Sequence, residues 1–197
     1  MKKTLCLLVP AAALAAAACA PSALTPYTFS ATYTPMTSLA EYSPARDCAA
    51  YGALVVGDAR SERSKVGVRY LEDGATRHDV TMEGDAEAWL RQAVEHALSS
   101  AGIEQSGTSD KRLTVRLEQI VTDEAIYRRA EYDGRVVVDA AVAGGGASWS
   151  AKKDGFAENY GYAGSAENYQ ETLNHALDKA LASMVNDPAF IDALCGP

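Results

Sequence analysis

Leu113-Thr114-Val115-Arg116-Leu117-Glu118 alternates apolar and polar side chains at every step. A period of two places one set on each side of a strand, so the stretch predicts a sheet with one buried and one wet face. Downstream, Asp133-Gly134 reads as a turn, Arg135 to Ala143 (RVVVDAAVA) as a strand, and Gly144-Gly145-Gly146 as its end. Ala147 to Ala151 and Gly155 to Ala163 read as two further short strands. Upstream, Ala49 to Asp58 (AAYGALVVGD) is a mostly apolar run of the kind buried on both faces. Val66 to Leu71 and Thr76 to Met82 flank a hairpin-type turn at Glu72-Asp73-Gly74.

Two segments change to a helical period. Asp85 is a suitable N-cap for a helix whose apolar stripe is Trp89, Leu90, Ala93, Val94, Ala97 and Leu98, and Gly102 ends it. Ser165 caps a second, with Tyr169, Leu173, Ala176, Leu177, Ala180, Leu181 and Met184 on its buried side. Asp187 and Pro188 then start a short terminal helix through Leu194. The order β-β-β-α-β-β-β-β-α predicts an α+β domain: a mainly antiparallel sheet with two long helices packed on one face.

The N-terminus reads as an address. Lys2 and Lys3 precede an apolar stretch, Thr4 to Ala18, that falls short of the roughly 20 apolar residues of a transmembrane helix. It fits a secretory signal, and its close, Leu14-Ala15-Ala16-Ala17-Ala18-Cys19, resembles a bacterial lipoprotein signal. That resemblance implies cleavage before Cys19 and acylation (palmitate among the chains) of that cysteine. Ala16 stands where the common pattern has Leu. Ala20, not Asp, follows the cysteine, which under the lipoprotein sorting rule implies the outer membrane, with the domain facing the periplasm. The chain divides accordingly into a signal peptide (1–18), an acylated N-terminus and Pro/Thr-rich tether (19–46), and one α+β domain (47–197). Within the tether, Tyr27 to Tyr33 alternates in a way that suits a strand docked on the domain edge.

Charge and cysteine usage narrow the function. The 197 residues carry 18 Lys+Arg against 26 Asp+Glu, a net charge of −8, which argues against nucleic acid as a partner. Removing residues 1–18 takes away two lysines and no acids, leaving −10 over 179 residues. Such a surface is repelled by anionic lipid, so the acyl chains, not a basic patch, must supply the anchor. Of four cysteines, Cys6 leaves with the signal and Cys19 takes the lipid. Cys48 and Cys195 then either form a disulfide in an oxidising compartment or stand as two thiols at the chain ends.

No residue pattern points to catalysis. His78, His96 and His175 have no Cys, Asp or Glu at metal-ligand spacing, and His96 and His175 fall off the apolar stripes, towards solvent. Gly144-Gly145-Gly146 leads into more strand and not into a helix, so a hairpin turn accounts for it better than a phosphate loop. There is no Gly-x-Ser-x-Gly and no paired carboxylate in a recognisable setting. Neither cofactor nor metal is expected. The candidates for a partner surface are the charged cluster Asp58, Arg60 and Arg63 and the aromatics Phe156, Tyr160 and Tyr162. Exposed, the aromatics make a contact surface; turned inward, they are packing.

The lipoprotein-type signal, the Pro/Thr-rich tether and a strand into Gly57-Asp58-Ala59-Arg60 together resemble the YajG-like family of bacterial lipoproteins. So do Val66-Gly67, the Trp89-Leu90 helix, the Leu113-Thr114-Val115 strand, and the Leu173…Leu177…Leu181 helix with Asp187-Pro188. The resemblance implies an outer-membrane lipoprotein of undetermined role and supplies no active-site residues; the Cys48/Cys195 pair departs from it. The expected function is a non-enzymatic, membrane-anchored lipoprotein that binds or scaffolds another envelope component. A domain for a small ligand (lipid, glycan or peptidoglycan fragment) in a cleft between helices and sheet is the alternative.

Overall fold

The computed structural model describes residues 27–36, 42–43, 45–71, 74–126 and 130–196. The signal peptide, Cys19, the first part of the tether and the Glu72-Asp73 half of the expected turn lie outside them.

The strands are β1 (Tyr27–Ser30), β2 (Ala50–Tyr51), β3 (Ala53–Asp58), β4 (Lys65–Tyr70), β5 (Arg77–Glu83), β6 (Glu104–Gln105), β7 (Arg112–Ile126), β8 (Ala130–Gly144) and β9 (Ala147–Gly161). The helices are α1 (Ala86–Ser100), α2 (Ala166–Val185) and α3 (Pro188–Cys195). The main sheet runs β1-β5-β4-β7-β8-β9, and β3 lies beside β4 along the same edge of β7. β3 pairs with the first half of β7 and β4 with its end, both parallel, while β7, β8 and β9 form antiparallel hairpins. The β1–β5 pair is parallel as well.

The fold is therefore α+β, as the order of elements implied, and most of the ladder is antiparallel, but the sheet is mixed: the β1–β5, β3–β7 and β4–β7 pairs are parallel. Side-chain alternation is the same in both kinds of ladder, so it carries no strand direction. The parallel pairing follows from connectivity: α1 carries the chain from β5 back across the sheet, as a crossover must. The described residues form three helices, of 15, 20 and 8 residues, so the helical layer is not two long helices alone but includes the short terminal one that Asp187 and Pro188 start. α2 lies over β8 and β9, α1 packs beside α2 over β3, and α3 closes against β9.

Local chemistry accounts for the helix ends. The Asp85 carboxylate accepts from the Glu87 and Ala88 amides, and Gly102 takes the left-handed conformation (φ 73°) after α1. The Ser165 hydroxyl accepts from the Asn168 amide, and the Asp187 carboxylate from Ala189 with Pro188 next to it. Leu173, Leu177 and Leu181 on α2 are buried against the sheet, each contributing about 1.5–3 kcal/mol.

Two glycines read as punctuation have another purpose. β8 runs unbroken through Gly134, and β9 unbroken through Gly155. A Cβ on Gly155 would stand 1.9 Å from the Ala176 carbonyl oxygen, and one on Gly134 would stand 2.6 Å from Thr172 Cγ2. Both let α2 press onto the sheet, so the expected pair of short strands is a single 15-residue strand.

Much of the segment read as tether belongs to the domain. β1 pairs with β5, Phe29 is buried, and its ring stacks on Tyr169 at 5.5 Å. One edge of α2 holds the rest. Gln170 Nε2 donates to the Ser30 carbonyl, and Asn174 Nδ2 donates to the Thr32 carbonyl at 3.0 Å. Asp178 accepts from Tyr33 Oη and the Met36 amide, both at 2.7 Å. Burial and that carboxylate hold the Tyr33 phenol well above its ordinary pKa. Trp89 Nε1 completes Asn174 at 2.8 Å. His96, expected towards solvent, is instead partly covered by the rings of Tyr33 and Tyr42, each 6.0 Å away. Further on, Ser43 donates its amide to Asn186 at 2.8 Å, and Arg46 pairs with Asp192.

Cys48 and Cys195 are joined by a disulfide with Cα atoms 5.0 Å apart, across a separation of 147 residues. Closing so long a loop restricts the unfolded chain by about 5 kcal/mol in the entropic account.

Asp178→Ala should strand two part-buried donors, the Tyr33 hydroxyl and the Met36 amide, and lower the unfolding free energy by about 1–3 kcal/mol in urea titrations. A loss below about 0.5 kcal/mol would show that this carboxylate does not hold the N-terminal segment.

Candidate functional site

Among the described residues, the helices cover one face of the sheet and leave the other open. In β9 the odd-numbered residues Trp149, Ala151, Lys153, Gly155 and Ala157 face the helices, and Lys152, Asp154, Phe156, Glu158 and Tyr160 face out. Phe156 is 50% exposed, Tyr160 46%, and Val55 at the far side of the face 43%. The register places these side chains in rows across three strands. One row is Val121, Arg135 and Phe156; the next is Asp123, Asp133 and Glu158; the last is Ala125, Glu131 and Tyr160.

The middle row sets three carboxylates directly opposite one another. Like charges in cross-strand pairs are destabilising by roughly 0.2–1 kcal/mol. Asp133, at the centre, has its pKa raised by partial burial and by the charges of Glu131, Glu158 and Asp123. Asp123 Oδ1 is partly occupied, accepting the Val68 amide at 3.0 Å. Around the row, Arg135 is tied to Asp154 at 2.6 Å and Tyr160 Oη donates to Glu131 at 3.0 Å. The open face thus offers a band of negative charge between two partly apolar rows.

The other proposed cluster has a different character. Asp58 and Arg60 point to the helix side, where Arg60 Nε and Nη2 donate to the two Asp58 oxygens at 2.9 and 2.8 Å. Their side chains are 6% and 4% exposed, so they form a buried pair and offer no free surface. Burial raises the Asp58 pKa, but the hydrogen bonds and charges of Arg60, with Arg63, outweigh it and hold the carboxyl below its ordinary value. Arg63 is exposed and donates to the Asp58 carbonyl at 3.2 Å. The charged cluster and the aromatics therefore lie on opposite faces and do not form one surface.

One functional-looking group escaped the sequence reading. Glu124 is fully buried and accepts from Tyr169 Oη at 2.5 Å, Tyr132 Oη at 3.2 Å and the Gly164 amide at 2.8 Å. Arg69 Nε stands 3.0 Å from Oε2, the oxygen that Tyr169 also meets. All its partners are structural and protein-borne, so it ties strands to the start of α2. Burial first, then Glu124, raise the Tyr169 phenol far above its usual pKa. The available signal was its place in β7, at the inward register after Thr122.

No group of three or more metal-ligating residues occurs among the described residues. Where Phe29, Trp89, Leu173 and Asn174 meet between helices and sheet, no room is left for a water molecule. The larger hollows are elsewhere, about 310 Å³ beside β4 and β7 and about 420 Å³ beside α3. Gly144, Gly145 and Gly146, all at positive φ, make the tight turn between β8 and β9.

Comparison with known proteins gives a family and a fold. The model of the Lipoprotein_16 family, described as "Uncharacterized lipoprotein", matches residues 48–194. A crystal structure of a Xanthomonas campestris protein of the DUF330 family is similar at 13% identity, with a TM-score of 0.52 over 83% of this chain and 95% of that one. A second crystal structure, of an uncharacterized protein, is similar at 12% identity, with a TM-score of 0.48 over 80% of this chain and 97% of that one. No curated protein matches the sequence.

Asp133→Asn should raise stability by about 0.5 kcal/mol at neutral pH, because a folded carboxyl with a raised pKa is destabilising once ionised. The gain should shrink as the pH falls through the raised folded value and vanish below the ordinary Asp value, and added salt should reduce it. Urea titrations at neutral and acid pH check this; an equal gain at both would contradict the repulsion.

Proposed function

The chain belongs to this family of uncharacterised lipoproteins, and from that premise we propose that it is a non-catalytic envelope protein, anchored by acyl chains on Cys19, whose open sheet face binds another envelope component. The lipoprotein signal, with Ala20 after the cysteine, supports the outer membrane and its periplasmic face as the location. No helix among the described residues is long and apolar enough to cross a membrane, and several acyl chains on one cysteine hold a protein stably, since each buried methylene adds about 0.8 kcal/mol.

The row Asp123–Asp133–Glu158 carries the binding reading. It costs stability and is given no ion-pair partner by the described residues, yet it lies between exposed Phe156 and Tyr160. A surface of that kind fits a protein segment offering Lys or Arg between apolar side chains. The filled space between α2, β5 and the N-terminal segment favours this over a small ligand held between helices and sheet.

Cys19→Ala should release the mature protein into the soluble periplasmic fraction and abolish labelling by a radioactive fatty acid; persistent labelling would contradict the anchor. A photo-crosslinking side chain at Phe156 should capture one specific envelope protein, and Asp133→Lys should abolish the product. Repeated recovery of none, or a product indifferent to Asp133→Lys, would contradict the binding face.

A further inference from the structure

The domain's attitude on the membrane follows from the length of chain between the anchor and the first docked strand. Tyr27 is held in β1, eight residues beyond Cys19. At 3.3–3.6 Å per residue, that stretch reaches at most about 28 Å. β1 runs parallel to β5, β5 antiparallel to β4, and β4 parallel to β7. The chain therefore enters β1 from the end of the sheet where β7 finishes and β8 begins.

Register fixes how far that entry is from either end. Tyr27 pairs with Val80, Val80 with Gly67, Gly67 abuts Thr122, and Thr122 pairs with Gly134. From the level of Gly134, four residues of β8 lead to Ala130, about 13 Å, and ten lead to Gly144, about 33 Å. The connection reaches the first end easily and is too short to let the second face the bilayer.

The near end carries Tyr162, the most exposed large aromatic of the described residues at 90%. Its backbone is held firmly. The Tyr162 carbonyl accepts from Tyr132 Oη at 2.5 Å, Asn168 Nδ2 at 3.2 Å and the Ser165 amide at 3.3 Å. The same Tyr132 hydroxyl lies 3.2 Å from Glu124, and Arg69, beside Glu124, lies 6.0 Å over the Tyr27 ring. One buried polar hub thus fixes both the strand where the anchor chain arrives and the loop that presents Tyr162. Arg77, exposed at the start of β5, adds a cation at the same end. A rigidly presented tyrosine with a nearby arginine suits the headgroup layer of a bilayer, where amphipathic rings are enriched.

We propose that the sheet end bearing Tyr162 is the membrane-contacting end of the domain, with the Tyr162 ring in the lipid headgroup layer. The proposal rests on the Cys19 anchor proposed above and leaves the open face with Phe156 accessible to a partner.

The test uses the full mature lipidated chain in phosphatidylethanolamine vesicles containing a minority of phosphatidylglycerol and brominated acyl chains. In Tyr162→Trp, the added tryptophan should shift to the blue and lose about half of its emission to the bromine atoms, as a ring at interface depth would. In Val55→Trp, at the far end, emission should stay unchanged. Flotation with the vesicles is measured on the same samples. A chain that floats without quenching at Tyr162→Trp, or with equal quenching at Val55→Trp, overturns the membrane contact alone. A chain that fails to float overturns the anchor, and the contact with it.

Discussion

The arrangement depends on what α2 must bury. Its broad side is apolar and lies on β8 and β9, but its edge carries Gln170, Asn174 and Asp178 at intervals of four, one above another along the helix. Asn174 and Asp178 are buried, and buried amides and carboxylates are costly unless paired. The partners come from the segment 30–36 and from Trp89. A polar edge on one helix thus makes a Pro/Thr-rich segment part of the domain. Without that clamp Phe29 and β1 would lose their seat, and the connection to Cys19 would be longer and less directional.

Much of this is legible in the sequence, and the remainder is not, for definite physical reasons. Asp85, Ser165 and Asp187 declared the helix starts because capping is local chemistry. The apolar stripes of α1 and α2 declared their buried sides for the same reason. Strand direction was illegible, since alternation repeats identically in parallel and antiparallel ladders. Gly134 and Gly155 were misleading: a glycine that admits a helix backbone looks, in sequence, like one that makes a turn. Gln170, Asn174 and Asp178 could have been seen, because three polar residues on one helix line are a pattern. What they hold could not, as it lies some 140 residues away.

The same distinction applies to function. Phe156, Tyr160 and Tyr162 were found by composition, and the structure exposes all three. Asp58 and Arg60 were found the same way and are a buried pair, because nothing in Asp-Ala-Arg says which side of a strand end it occupies. The carboxylate row needed the register of three strands and no single segment hints at it. Glu124 needed the convergence of β4, β7, β8 and α2. Sites assembled from several strands are hidden from a linear reading, while caps and anchors, written in a few adjacent residues, are not.

The central claim is that the N-terminal segment is an integral part of the fold, held by α2. Native-state hydrogen exchange at two amides tests it most directly: Ala31, which donates to the Glu83 carbonyl at 2.9 Å, and Met36, which donates to Asp178. Both should be strongly protected, with opening free energies that follow global stability as urea is added. Exchange of either at the rate of an unstructured peptide, while α2 amides stay protected, would contradict the account.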